Sequence, residues 1–71
     1  MDKQAFLEKI GENIVKIRKQ KSLKQFNLAD KANMKDSSLR RIEKGRVNST
    51  IIMLKRVADA LEVPLIDLLK Y

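Results

Sequence analysis

The chain has 71 residues, and its 16 Lys or Arg against nine Asp or Glu give a formal net charge of +7 at pH 7. This length allows one small domain over residues 1–71 and excludes a second hydrophobic core. Because the sequence contains neither Cys nor His, it excludes disulfides, thiolate zinc sites and the usual general base, and we predict no cofactor.

The first predicted element is a helix from about residue 3 to residue 20. Asp2 precedes it and is the predicted N-cap, because a carboxylate there accepts hydrogen bonds from free backbone amides. Apolar residues recur within this segment at the spacing of one helical face, which indicates the side that packs on a core. These residues are Leu7, Ile10, Ile14 and Ile17.

Two short helices are predicted next, over about residues 25–32 and 36–44. The link between them is Asn33-Met34-Lys35, and we expect Asn33 to adopt the left-handed conformation that such a turn requires. Two helices joined by a turn of this length form a helix-turn-helix, whose second helix can enter the DNA major groove. Their apolar residues are Leu28, Ala29 and Ala32 in the first and Leu39 and Ile42 in the second.

Thr50 is the predicted N-cap of a fourth helix, which Val63-Pro64 ends, and Pro64 is suited to open a fifth helix over about residues 65–70. No segment shows the alternation of a strand, so we predict an all-α fold of five helices around one core. The stripe of the fourth helix is Ile51, Leu54, Val57, Ala58 and Leu61. The predicted core takes the last four of these, together with Leu23, Met34, Leu65 and Leu68.

The positive charge is concentrated in the middle of the chain. Residues 16–46 hold 11 Lys or Arg and three acids, whereas the rest of the chain holds five basic and six acidic residues. A localised basic surface attracts polyanions, although a solvated lysine surface is the alternative interpretation. The basic segment contains the helix-turn-helix pattern, and this coincidence favours nucleic acid as the partner.

Several short motifs follow one another at unbroken spacing over about residues 10–69. They are Ile10-Gly-Glu-Asn-Ile, Lys16-Ile-Arg-Lys, Leu23-Lys-Gln, Leu28-Ala-Asp-Lys-Ala, Arg41-Ile-Glu-Lys-Gly-Arg, Asn48 and Leu54-Lys-Arg-Val-Ala-Asp-Ala-Leu-Glu-Val. In these motifs the sequence resembles the lambda repressor and Cro-type helix-turn-helix family, also called the XRE family. The resemblance implies a five-helix DNA-binding domain that regulates transcription, usually as a homodimer on a palindromic operator.

Family roles carry over to matching positions of this chain. Gln25 resembles the residue that contacts the DNA backbone and braces the reading helix, and Arg18 and Glu43 resemble a structural ion pair between the first and third helices. The residues that resemble the base-reading surface are Asp36, Ser37, Ser38, Arg40 and Arg41.

The start of the third helix departs from the family pattern. Lys35 stands where the N-cap is often Ser or Thr, and Asp36 follows where a neutral or basic residue is more usual. Phosphate repels an acid in the groove, but the acid can accept a hydrogen bond from a cytosine amino group. A role at the helix start, through the helix dipole, is the favoured alternative.

Side chains with hydrogen-bond donors are the candidates for DNA contact. Arg40 and Arg41 can each donate two hydrogen bonds to guanine, but they diverge by about 100° on the helix, so we expect Arg41 to read a base and Arg40 to reach the backbone. Lys and Arg bind phosphate and release counterions. The candidates for phosphate are Lys24, Lys35, Lys44, Arg46 and the amide of Asn48.

A homodimer needs a contact surface, and we expect it at the C-terminal end. Other apolar residues that stand where polar ones are usual extend this candidate surface, although packing on the core is the alternative for each. The C-terminal candidates are Leu65, Ile66, Leu69 and Tyr71, and the others are Val15, Phe26, Ile52 and Met53.

Other functions remain open at this stage. An antitoxin, which would hold a toxin, or a restriction–modification controller would bind a protein partner and regulate its own operon. A protein-interaction module with no DNA role would pair with a related regulator, but the basic residues Arg40, Arg41 and Lys44 disfavour it. We expect no enzyme, because the carboxylates are scattered along the chain. Membrane attachment by a basic amphipathic helix is disfavoured, because the apolar stripe of the first helix has the width of a side that packs on a core. With no long apolar run, we expect a cytoplasmic protein.

Overall fold

The structure, a computed structural model, describes residues 2–70 as five helices and no strand. This confirms the predicted all-α fold, and the helices differ from the predicted bounds by at most one residue. The helices are α1 (Lys3–Gln20), α2 (Gln25–Lys31), α3 (Asp36–Glu43), α4 (Ile51–Leu61) and α5 (Ile66–Leu69).

Two of the helices begin at the N-caps that the sequence predicts. Asp2 Oδ1 accepts a hydrogen bond from the Ala5 amide at 2.7 Å, and Thr50 Oγ1 accepts one from the Met53 amide at 3.1 Å. Each side chain satisfies a backbone donor that has no partner inside the helix. The starts of α1 and α4 are therefore fixed by residues adjacent to them.

Residues with positive φ end the helices and set the turns between them. Asn33 adopts the expected left-handed conformation, with φ of 58°, and Gly45 follows α3 with φ of 68°. α4 ends at Leu61, and its C-cap Glu62 is left-handed with φ of 61°, so the helix has already stopped before the Val63-Pro64 pair.

The core lies between α1, α2, α3 and α4, and α5 closes one side of it against α1. Every buried apolar residue was predicted from the sequence. Ile51 corrects the predicted stripe of α4, because it is 60% exposed at the first position of that helix, one turn before the first buried residue. The buried apolar residues are Ile10, Ile14, Leu28, Ala29, Ala32, Leu39, Ile42, Leu54, Val57, Ala58, Leu61 and Leu68.

Within residues 2–70, none of the five helices is both long enough and apolar enough to cross a bilayer.

Candidate nucleic-acid interface

α3 has one buried face and one free face. Leu39, Ile42 and Glu43 are buried against the rest of the domain. At 100° per residue, the opposite side of the helix carries Ser37, Arg41 and Lys44. Asp36 and Arg40 share one flank of this outer face, and Ser38 lies on the other flank.

The sequence-predicted DNA contacts are almost all accessible. Arg40 and Arg41 are exposed rather than turned into the core, and only Gln25 and Ser38 are half-buried. The exposed set is Lys24, Lys35, Asp36, Ser37, Arg40, Arg41, Lys44, Arg46 and Asn48.

The basic side chains of this surface have no acidic partner. Residues 2–70 contain three ion pairs, and two of them, Lys55–Asp59 and Lys70–Asp67, lie on α4 and α5. The third is the buried pair Arg18–Glu43. No carboxylate among residues 2–70 therefore forms an ion pair with the guanidinium and ammonium groups on α3 and its two flanking turns, which leaves these groups available to an external anion.

A small cleft borders the outer face of α3 on the side of α4. Its floor contains Val47 and Met53, and its rim carries Arg41, Asn48 and Thr50. The cavity is about 220 Å³. Arg41 and Asn48 thus line the same cleft, although they come from a helix and from the loop after it.

A wider cleft borders α3 on the side of α2. It has a volume of about 510 Å³ and contains Phe26 and Met34 beside the acids Asp30 and Asp36. Lys31 also lines it. Two of the three acids in the basic middle of the chain therefore lie on this one side.

A buried carboxylate joins three helices and fixes α3. Glu43 Oε2 accepts a hydrogen bond from Arg18 Nε at 2.8 Å, and Glu43 Oε1 accepts one from Arg18 Nη2 at 3.2 Å. Arg18 Nη1 also donates to the Leu23 carbonyl at 3.0 Å. Because the Glu43 side chain is only 4% exposed, the orientation of the pair is specific and its loss leaves an unpaired buried charge.

Gln25 contributes to the same cluster. Its Nε2 donates a hydrogen bond to Glu43 Oε1 at 2.8 Å, which ties the start of α2 to the end of α3. The amide has a second N–H, and that donor has no partner within residues 2–70. Bracing of α3 and a phosphate contact can therefore coexist in this one side chain.

Sequence reasoning missed the role of Gly11. A Cβ added at this position would lie 2.2 Å from the Glu43 carbonyl oxygen and 2.8 Å from that of Ile42. The backbones of α1 and α3 are in contact here, which sets how deeply α3 sits on the domain. A glycine inside a long helical pattern was the available signal.

Asn13 is a second missed residue, and it fixes α5. Its Nδ2 donates to the Leu68 carbonyl at 3.0 Å and to the Lys70 carbonyl at 2.8 Å. These carbonyls lie at the end of α5, where no backbone donor follows within the helix. The side chain of α1 therefore anchors the C-terminal turn.

The predicted dimer surface is only partly available. Leu65 and Leu69 are half-buried and pack against the domain's own core, because α5 is short and turns this side toward α1 and α4. Ile66 is 60% exposed, while Tyr71 lies outside the described residues.

The additional apolar candidates divide in the same way. Ile52 is 65% exposed and Phe26 is 55% exposed. Val15 and Met53 are half-buried, and Met53 packs against the core. Ile51, at 60% exposure, is an outward apolar residue beside Ile52 that the sequence had placed on the apolar stripe of the fourth helix.

Comparison with known proteins gives matches at the level of family and fold. Residues 14–68 match the model of the helix-turn-helix family HTH_3. The immunity repressor protein of Bacillus phage phi105 is 43% identical over 54 residues, which are 76% of this chain. The chain spans only 38% of the length of that relative.

Two solved structures of bacterial regulators superpose closely. The restriction-modification controller protein C.AhdI from Aeromonas hydrophila has a TM-score of 0.88 and 28% identity, covering 90% of this chain and 97% of that one. The clp gene regulator ClgR from Corynebacterium glutamicum has a TM-score of 0.86 and 25% identity, covering 90% of this chain and 68% of that one.

Proposed function

Because this chain belongs to the helix-turn-helix family HTH_3, we propose that its single domain, residues 1–71, binds operator DNA as a homodimer and regulates transcription. The observation that carries the proposal is the outer face of α3, which is exposed, cationic and without acidic partners in residues 2–70. A helix with such a face fits the major groove, which is wide enough to admit it. We place this activity in the cytoplasm, where the DNA partner lies.

Phosphate contacts supply the affinity that does not depend on sequence. Lys24 and Lys35 precede α2 and α3, so each stands beside the free backbone amides of a helix start. Lys44, Arg46 and Asn48 follow α3 on its other side. The contacts thus flank both ends of the reading helix, and binding is expected to weaken linearly on a log–log scale as salt rises.

Base recognition centres on Arg41. This residue lies near the middle of the outer face of α3, next to Ser37 one turn earlier. Arg40 lies on the flank and one turn beyond the helix start, whose residues contact the base edges. A guanidinium can donate two parallel hydrogen bonds to guanine O6 and N7. Arg40, displaced by about 100°, reaches the phosphate backbone instead.

Replacing Arg41 with Ala is expected to weaken operator binding by about 1–3 kcal/mol and to relax one base position in each half-site. Arg40→Ala is the matched control, and it should weaken all duplexes alike and lower the salt slope by about one. Binding-site selection from random duplex DNA at two salt concentrations measures both effects. Unchanged base preference in Arg41→Ala would contradict the assignment.

For the dimer we propose a contact made by the exposed isoleucines, with Ile66 on α5 and Ile52 on α4. Two copies must place their α3 helices about 34 Å apart to read one side of the duplex. Burial of these side chains removes apolar area from water, which is favourable by about 25 cal/mol per Å².

Ile66→Asp is expected to shift the dimer toward monomer while the domain remains folded, because this side chain is 60% exposed. Sedimentation velocity over a concentration series measures the shift, and helical circular dichroism checks the fold. Lys19→Gln, which lowers the net charge by the same one unit at an exposed position of α1, is the charge control. A wild-type chain that stays monomeric at high concentration would refute the dimer.

Control of a restriction–modification system is the second candidate function. It is favoured by the similarity to C.AhdI, of which this chain covers 97%. The similarity to a phage immunity repressor favours repression of transcription instead. An antitoxin that holds a protein partner on its exposed apolar residues is the third alternative. The sequence of the selected operator, located upstream of the genes it controls, decides among them.

A further inference from the structure

Asp36 is the acidic side chain on the accessible surface of α3, since Glu43, the other acid of the helix, is buried. We propose that Asp36 determines operator specificity in two ways: it accepts a hydrogen bond from the amino group of one cytosine, and it repels duplexes that present no such donor there. This inference rests on the proposed DNA-binding function, and it names a residue that determines which operator sequence is bound.

A helix-capping role does not account for Asp36. The N-cap of α3 is Lys35, which makes no side-chain capping hydrogen bond, and the Asp36 carboxylate accepts none from residues 2–70. α1 and α4, in contrast, have side-chain caps from Asp2 and Thr50. What remains for Asp36 at the helix start is the exposed interaction with the helix dipole, which solvent and salt screen.

An ion pair does not account for it either. Arg40 stands four residues later on the same flank, in the order that favours a pair on a helix surface. Lys35 is the adjacent residue, and Lys31 lines the same cleft. Even so, none of the ion pairs in residues 2–70 includes Asp36, so its carboxylate faces solvent with its acceptor capacity unused.

The chemistry of the major groove gives this free carboxylate one favourable partner. Guanine presents the acceptors N7 and O6, thymine presents O4, and adenine presents N7 beside its amino group. Cytosine presents only its N4 amino donors. A carboxylate at the first position of the reading helix is therefore satisfied best by cytosine, less well by adenine, whose N7 acceptor lies beside the amino donor, and it is repelled by guanine and thymine.

The phosphate charge makes the same group costly on every other sequence. Asp36 lies among Lys35, Arg40 and Arg41, whose charges are the source of sequence-independent affinity. An acid at this position lowers the affinity for every duplex. The loss is offset only on a duplex in which cytosine donates a hydrogen bond to the carboxylate. Specificity is a difference between affinities, so a repulsive group that one partner can satisfy raises the specificity ratio.

The experiment is binding-site selection from random duplex DNA with the wild-type chain, Asp36→Asn and Asp36→Ala. The wild type is expected to select cytosine at one position of each half-site. Asp36→Asn should shift that position toward adenine, because an amide both accepts from N6 and donates to N7. Asp36→Ala should show no preference there. Affinity for an unrelated duplex should rise a few-fold in both variants, and the specificity ratio should fall about ten-fold.

Asp30→Asn is the matched control. Asp30 is also exposed, also unpaired within residues 2–70 and lines the same cleft, but it lies on α2. This variant removes the same charge and should select the wild-type sequence. The inference is overturned if Asp36→Asn selects the wild-type sequence, with or without a lower melting temperature, or if Asp30→Asn changes the selected base equally.

Failure of this inference is distinguishable from failure of the proposed function. If the wild-type chain enriches no sequence at low salt, operator binding itself is refuted and the role of Asp36 falls with it. If the wild type enriches a palindrome and Asp36→Asn enriches the same palindrome, operator binding stands and only the specificity role of Asp36 is lost.

Discussion

Replacing Glu43 with Ala is expected to lower the free energy of unfolding by about 3–5 kcal/mol, the usual cost of removing one partner from a buried ion pair. The substitution leaves the Arg18 guanidinium, whose side chain is 12% exposed, without its carboxylate. It also removes the acceptor of the Gln25 amide. Since a domain of this length has only a few kcal/mol of stability, we expect most of the variant to be unfolded at 37 °C.

Urea denaturation followed by circular dichroism measures the loss. The double variant Arg18→Met/Glu43→Leu is expected to be more stable than Glu43→Ala, because no unpaired charge remains in the interior. Lys55→Ala is the control for an ion pair at the surface, where both partners of the Lys55–Asp59 pair are more than half exposed, and it should cost less than about 1 kcal/mol. A double variant no more stable than Glu43→Ala would contradict this account.

Replacing Gly11 with Ala is expected to destabilise the domain by about 3 kcal/mol, at the upper end of the usual overpacking cost. Alanine is ordinarily favoured over glycine in a helix by about 1 kcal/mol. Here the added Cβ would stand 2.2 Å from the Glu43 carbonyl oxygen, and a backbone atom cannot turn away as a flexible side chain does. α3 must therefore move outward from α1.

Both stability and DNA binding report on this displacement. We expect Gly11→Ala to lower the melting temperature. We also expect it to weaken operator binding in the folded fraction, because a displaced α3 can no longer bring Arg41 and the phosphate-binding residues against the duplex at the same time. Lys19→Ala, an exposed substitution on the same helix, should change stability by less than about 0.5 kcal/mol. A Gly11→Ala variant as stable as the wild type would show that α1 and α3 can separate freely.

Much of the candidate DNA surface could be predicted from the sequence, because its signals are local or come from the family resemblance. The position of Arg41 on α3 follows from helical periodicity once the turn at Asn33 is placed. The side of α3 that is buried follows in the same way from Leu39 and Ile42. The identity of the bases that this surface reads stays a prediction.

Only part of the predicted dimer surface is exposed, and the reason is physical. Leu65 and Leu69 are apolar residues near the chain end, and the sequence pattern cannot tell whether they pack inward or against another copy. α5 has only four residues, too few for periodicity to define a face. Ile51 lies on the predicted stripe of α4 and is nevertheless exposed, since the first turn of a helix is covered only if a neighbouring helix extends that far.

The sequence by itself determined the five helices, their caps, the buried stripes and the concentration of positive charge around the helix-turn-helix, because each depends on residues within about one helical turn or on composition. The tertiary structure alone decided that Gly11 is a point of backbone contact, that Gln25 shares Glu43 with Arg18, and which apolar residues stay exposed. These features depend on the distances between helices far apart in the chain, and the packing of the whole core sets those distances.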